Sequence, residues 1–186
     1  YSFGISSDHI RTAVAKAKIV VAEINDQIPY TFADAVLKPE RIDYLLNVSR
    51  PPVEVSAAQP GEADHAIAAH AAKYIGDGSV IQMGVGGVPD AMLRLLTDRR
   101  DLGFHSGMAG DGLLDLVEAG VVTNARKPFD TGISITGTLM GTRRLYDWAH
   151  RNPLLAMRGP EITHGEAVLS SIPGLVTINS AVEVDI

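Results

Sequence analysis

Between residues 62 and 178, short apolar runs alternate with longer stretches whose apolar residues recur at helical spacing. Few folds accept that alternation. The runs at 79–83, 102–106, 133–139, 154–157 and 175–178 read as buried strands, while 62–75, the stretch beginning at 87, 110–119 and 142–150 read as helices. Met92, Leu93, Leu95 and Leu96 form one apolar stripe, and Leu113, Leu114, Leu116 and Val117 form another. Strands that alternate with helices in this way predict an α/β chain of mostly parallel sheets covered by helices. Upstream, Ser6, Ser7 and Asp8 offer caps for a helix to residue 16, followed by a strand at 19–24 and a short helix at 40–46. Pro51-Pro52 and the Ala57 to Gly61 stretch read as a linker, so the expected division is 1–60 and 61–186.

Composition narrows the function classes. With 186 residues and 46% hydrophobic side chains, the chain can build a packed core without cross-links. It has no cysteine, which removes disulfides, thiolate metal sites and a cysteine nucleophile together. Sixteen Lys and Arg against 22 Asp and Glu leave a net charge of −6, so neither nucleic acid nor an anionic membrane is the expected partner. The first residues show no basic segment followed by a long apolar run, so no signal peptide is expected and a cytoplasmic protein is. His65 and His70 are five residues apart on a helix, which misses a common face, and no metal site is expected.

Three passages could carry chemistry. Gly84-Val85-Gly86-Gly87-Val88-Pro89-Asp90 stands where a strand turns into a helix. Its glycines allow φ > 0 and let a ligand approach backbone N–H groups closely. Pro89 stands where a dinucleotide fingerprint needs glycine, no phosphate-loop lysine follows, and Asp90 already complements the helix end. The loop therefore suits a neutral acyl carbonyl better than a pyrophosphate, with a dinucleotide-binding oxidoreductase as the reading from another class. The second passage, residues 105–112, ends the next strand. There His105 reads either as a base or as a packed residue, and Asp111 either as a helix cap or as an acid or base. In the third, Asn179 ends a strand with an amide that can donate to a carbonyl oxygen. Arg99-Arg100 and Arg143-Arg144 read first as solvated helix-end charges and second as phosphate contacts.

These passages, with Asp111-Gly112-Leu113-Leu114-Asp115-Leu116-Val117-Glu118-Ala119-Gly120-Val121, Gly137-Thr138-Leu139-Met140-Gly141-Thr142-Arg143-Arg144-Leu145-Tyr146-Asp147 and Ile178-Asn179-Ser180-Ala181-Val182-Glu183-Val184-Asp185, resemble the acetyl-CoA hydrolase/transferase family, and within it the 4-hydroxybutyrate CoA-transferases. The resemblance runs through the whole chain, which would be the middle portion of the family's length. It implies the CoA-transferase fold shared with ribose-5-phosphate isomerase-like proteins. Residues 1–60 would end a first domain, and 61–186 would begin a second that carries the glycine loop. It implies a short-chain acyl-CoA and a carboxylate as substrates, coenzyme A as substrate with no permanently bound cofactor, and a homo-oligomer. It also implies ping-pong exchange through a glutamyl-CoA thioester. Residue by residue, Gly84, Val85, Gly86, Gly87, Val88 and Asn179 carry over as CoA-binding. The nucleophilic glutamate does not, because its place in His105-Ser106-Gly107-Met108 is taken by Gly107. Asp111, about one helical turn further on, and Glu183 are the candidate substitutes. The chain is then expected to be an altered enzyme, such as a hydrolase in which water attacks directly, or a non-catalytic acyl-CoA-binding or structural subunit.

Overall fold

A computed structural model describes residues 1–56, 59–84 and 86–179. Strand β4 (Val80–Met83) is buried at all four positions, as a central parallel strand covered on both faces must be. It lies between β10 (Leu175–Ile178) and β5 (Gly103–Phe104), both parallel to it. A second parallel sheet has the order β2 (Phe32–Ala33), β9 (Leu155–Met157), β7 (Ser134–Thr136). A lone parallel bridge from His105 to Ile135 joins the two, giving one continuous order β10-β4-β5-β7-β9-β2. At this seam Asn124 acts as a strand backbone would: its Oδ1 accepts from Phe104 N at 2.8 Å and its Nδ2 donates to Ser134 Oγ at 3.0 Å. The α/β class with parallel sheets read from the sequence is the observed one.

Helices α3 (Gly87–Arg94) and α4 (Asp111–Glu118) cover β4 and β5. Met92, Leu96, Leu113, Leu114 and Leu116 are buried with Ile81, Met83 and Phe104 in a single apolar cluster. Gly120, at φ 72°, follows the α4 C-cap and turns the chain back, so the Gly that ends the apolar stripe also stops the helix. Helices α1 (Ile10–Lys16), α2 (Glu62–Ala71) and α5 (Arg143–Ala149) lie close to their expected places. Further on come the short helices α6 (Pro160–Thr163) and α7 (Glu166–Ser170). No described helix is long and apolar enough to cross a membrane.

Two expectations need correction. Residues 40–46 do not form a helix. A 3-10 turn at Pro39–Arg41 leads into strand β3 (Tyr44–Val48), which pairs parallel with β1 (Val21–Asn25). The single strand expected at 133–139 is two strands, β7 and β8 (Thr138–Leu139), separated at Gly137. β8 pairs instead with β6 (Met108–Ala109). A Cβ at residue 137 would stand 3.0 Å from Gly107 O, so the glycine permits the close crossing at which the chain changes sheets.

Candidate active site

Strand β4 delivers Gly84 to the carboxyl edge of the sheet, where ligands of open parallel sheets gather. Gly84 N donates to Ile178 O at 3.0 Å, placing Asn179 beside it. A Cβ on Gly84 would lie 3.3 Å from Asn179 Oδ1, so the close approach of the two strand ends favours glycine there. Asn179 is exposed, and its Nδ2 reaches Gln82 Oε1 at 3.3 Å. Gly86, at φ 129°, is the N-cap of α3, and open space lies where its Cβ would be. Backbone conformation, rather than crowding, calls for glycine at this position. The first intrahelical bond runs from Asp90 N to Gly86 O at 3.0 Å, and Pro89 has no N–H, so the first turn has the N–H groups of Gly87 and Val88 to offer. Behind the loop, the Asp64 carboxylate accepts from Gly61 N at 2.8 Å and packs on Gly87, where a Cβ would sit 2.5 Å from Asp64 Oδ2. Val85 lies outside the described residues, as does Glu183.

The loop opens on a cavity of about 260 Å³ lined by Gly84, Gly86, Asp90, Phe104, Asp111 and Met140, among others. Val55 and Ser56 close one side of it. That segment is docked by Val55 N donating to Gly141 O at 2.9 Å and by Tyr146 Oη donating to Val53 O at 3.0 Å. A larger cleft of about 550 Å³ opens elsewhere, among Phe3, Glu23, Asn25, Arg50 and Pro52, and none of the glycine-loop residues lines it.

Beyond Ile81 and Phe104 the β4–β5 pairing is continued by a side chain. Ser106, fully buried, accepts from Met83 N at 3.2 Å and donates to Met83 O at 2.9 Å through its Oγ. Gly84 and Gly107 each follow directly on this Met83–Ser106 contact. Gly107 O accepts from the N–H groups of Gly137 and Thr138, both at 3.0 Å. The His164 imidazole occupies the side-chain volume of residue 107: an ideal Cβ there would overlap its Cε1 and lie 2.7 Å from its Nε2.

Asp111 lines the cavity, yet both its oxygens are engaged. Oδ2 accepts from Thr142 N at 2.9 Å and Oδ1 from Thr142 Oγ1 at 2.7 Å, so the carboxylate anchors the N-terminus of α5. The separation from Gly107 is not a helical turn, because β6 lies between them. His105 is fully buried and points away from the cavity. Its Nε2 bonds to Ile162 O at 2.9 Å, its ring meets Phe129 edge-on, and burial lowers its pKa below 6.5. On the same side Lys127 is almost fully buried, with its Nζ donating to Ile133 O at 2.7 Å and Phe104 O at 3.3 Å; desolvation brings its pKa down to about 8. Arg144 is paired with Asp115 and Glu118, Arg143 with Asp147, and Arg99 donates to Asp98 and to Ile75 O. These arginines hold protein groups together, away from the glycine loop. Sequence reasoning missed Asp64, Ser106 and His164. A histidine between Thr163 and Gly165 was the one visible signal, and no periodicity tied it to Gly107.

Residues 141–186 match the acetyl-CoA hydrolase/transferase C-terminal domain. The chain is 37% identical over 185 residues to a 4-hydroxybutyrate coenzyme A transferase of Clostridium kluyveri, matching along its whole length and covering 43% of that protein. It is 34% identical to a succinyl-CoA:acetate/propanoyl-CoA:succinate CoA transferase of Fasciola hepatica, of which it covers 39%. Among solved structures, a 4-hydroxybutyrate CoA-transferase of Porphyromonas gingivalis superposes with a TM-score of 0.92 at 31% identity, over 98% of this chain and 47% of that one. RipA of Yersinia pestis gives 0.86 at 27% identity, over 95% and 41%. The chain thus spans less than half the length of these relatives, and along its whole length it is similar to CoA transferases, with residues 141–186 matching the acetyl-CoA hydrolase/transferase C-terminal domain.

Proposed function

We propose that the chain carries the acyl-CoA site of an enzyme that cleaves or transfers short-chain acyl-CoA thioesters. The thioester oxygen would lie against the backbone N–H groups at Gly86, Gly87 and Val88, with Gly84 and Asn179 alongside the CoA thiol arm. The observation that carries this reading is the rim of the 260 Å³ cavity, where Gly84 and Gly86 present a backbone free of side chains at the carboxyl edge of a parallel sheet. Donors fixed by a strand and a helix need no reorganisation as negative charge develops on a carbonyl oxygen, which is the requirement for oxyanion stabilisation. The 4-hydroxybutyrate and succinyl-CoA transferases among the relatives support the substrate class. Gly107 has no carboxylate to form an anhydride, and Asp111 is committed to Thr142, so the acyl group passes to water or an acceptor without a glutamyl-CoA intermediate at residue 107.

Calorimetric titration of the intact protein with CoA tests the site. Gly86→Ala, which puts a Cβ on a residue at φ 129°, is expected to weaken CoA binding by about tenfold or more, equivalent to about 1.4 kcal/mol. Unchanged affinity in that variant would place the ligand elsewhere.

A further inference from the structure

The space above Gly107 is filled by His164, which reaches it from a segment distant in sequence, between α6 and α7. The ring is held from behind. Thr163, itself buried, has its Oγ1 2.8 Å from His164 Nδ1 and 3.4 Å from Gly159 O. When the Thr163 hydroxyl proton points to Gly159 O, its oxygen accepts from Nδ1–H. In that arrangement the imidazole lone pair is on Nε2. Among the described residues Nε2 has no hydrogen-bond partner, and the side chain is exposed enough for water to reach it. The supporting backbone is tied down too: His164 N donates to Pro160 O at 2.9 Å, and buried His105 holds Ile162 O through its Nε2.

We infer that His164 is a general base that takes over the position of the absent carboxylate, so that the acyl acceptor is water. The inference rests on the acyl-CoA reading of the glycine loop. In the step it assigns, His164 Nε2 removes a proton from a water molecule on the exposed side of the ring. The water oxygen bonds to the thioester carbonyl carbon, and the carbonyl π pair moves onto oxygen, facing the loop N–H groups. Collapse of that intermediate breaks the C–S bond. The departing CoA thiolate takes the proton from the imidazolium, leaving a carboxylic acid and free CoA thiol. Gly107 has its own part in this arrangement, because any side chain there would displace the ring. Thr163 is a positioning residue that acts through the tautomer.

The test uses the intact protein with acetyl-CoA, follows thiol release, and measures CoA affinity separately by calorimetry. His164→Asn and His164→Gly are expected to lower kcat by about 10²- to 10³-fold while CoA affinity stays within about twofold. Free imidazole should restore turnover in His164→Gly but not in His164→Asn, where the slot is filled. Thr163→Val, with the ring present but its tautomer unlocked, should lose about tenfold. Wild-type turnover in His164→Asn with CoA still bound would overturn the role of His164 and leave the glycine-loop reading standing. Acyl transfer to an added carboxylate in preference to water would overturn it as well. Failure of the wild-type protein to bind CoA would remove the glycine-loop reading first, and the inference with it.

Discussion

Gly165→Ala is expected to destabilise the protein by about 2–3 kcal/mol and to reduce thioester cleavage by about tenfold or more, although residue 165 touches no substrate. Gly165 is the N-cap of α7, with φ −64° and ψ 125°, so its conformation is open to any residue and the constraint is spatial. A Cβ on it would overlap Glu161 O and lie 3.1 Å from Glu161 C. Those atoms belong to the backbone of α6, and no rotamer change relieves the overlap. The carbonyl must move, and with it the turn in which Thr163 N donates to Gly159 O and His164 N to Pro160 O. Stability and activity are therefore predicted to fall together, since the strained turn is the one that aims His164. Urea denaturation and thiol release on the same preparation check both. A change under about 0.5 kcal/mol with full activity would mean that this turn is softer than its geometry implies.

Gly107→Glu should have the opposite character, with a large loss of hydrolysis and little loss of fold. The atoms that a Cβ at 107 would meet are ring atoms of an exposed side chain rather than backbone, so the ring can swing aside at the cost of its hydrogen bond to Thr163 Oγ1. Hydrolysis should fall by about 10²-fold as the base is displaced. The double change Gly107→Glu with His164→Gly clears the slot for a carboxylate. On incubation with acetyl-CoA that variant should accumulate a protein-bound thioester that borohydride reduces, and the wild-type protein should not. Hydrolysis unaltered in Gly107→Glu would show that the ring above residue 107 takes no part in turnover.

Much of the fold was legible because its signals are local. The fully apolar run of β4, the stripe of Leu113, Leu114 and Leu116, and the Gly120 stop each report their element without reference to partners. Tyr44–Val48 was misread because Tyr44, Leu45 and Leu46 are all exposed and, among the described residues, β3 pairs only with β1, so neither face imposes a period of two. The break of the 133–139 run at Gly137 depends on Gly107 O lying beneath it, a contact that no window of sequence contains.

The site divides along the same line. The glycine loop announced itself by composition at a strand-to-helix turn, and the expectation that Gly107 stands where relatives carry a glutamate came from resemblance alone. What fills the gap at Gly107 was invisible. The His164 ring reaches it only through the packing of α6, and Asp111, which looked available, turns out to be held by Thr142. A hydrogen-bonding side chain announces its residue type in the sequence, whereas its partner is decided by tertiary placement.

The central claim, that the glycine backbone at Gly84, Gly86 and Gly87 receives the acyl-CoA thioester, is tested most directly by a crystal structure of the intact protein with a cleavage-resistant thioether analogue of acetyl-CoA that keeps the carbonyl. The account predicts the carbonyl oxygen within about 3.2 Å of backbone N–H groups at Gly86 to Val88, with the carbonyl carbon open to a water beside His164. An analogue seated in the 550 Å³ cleft near Arg50, with the glycine-loop N–H groups turned toward protein carbonyls, would contradict it.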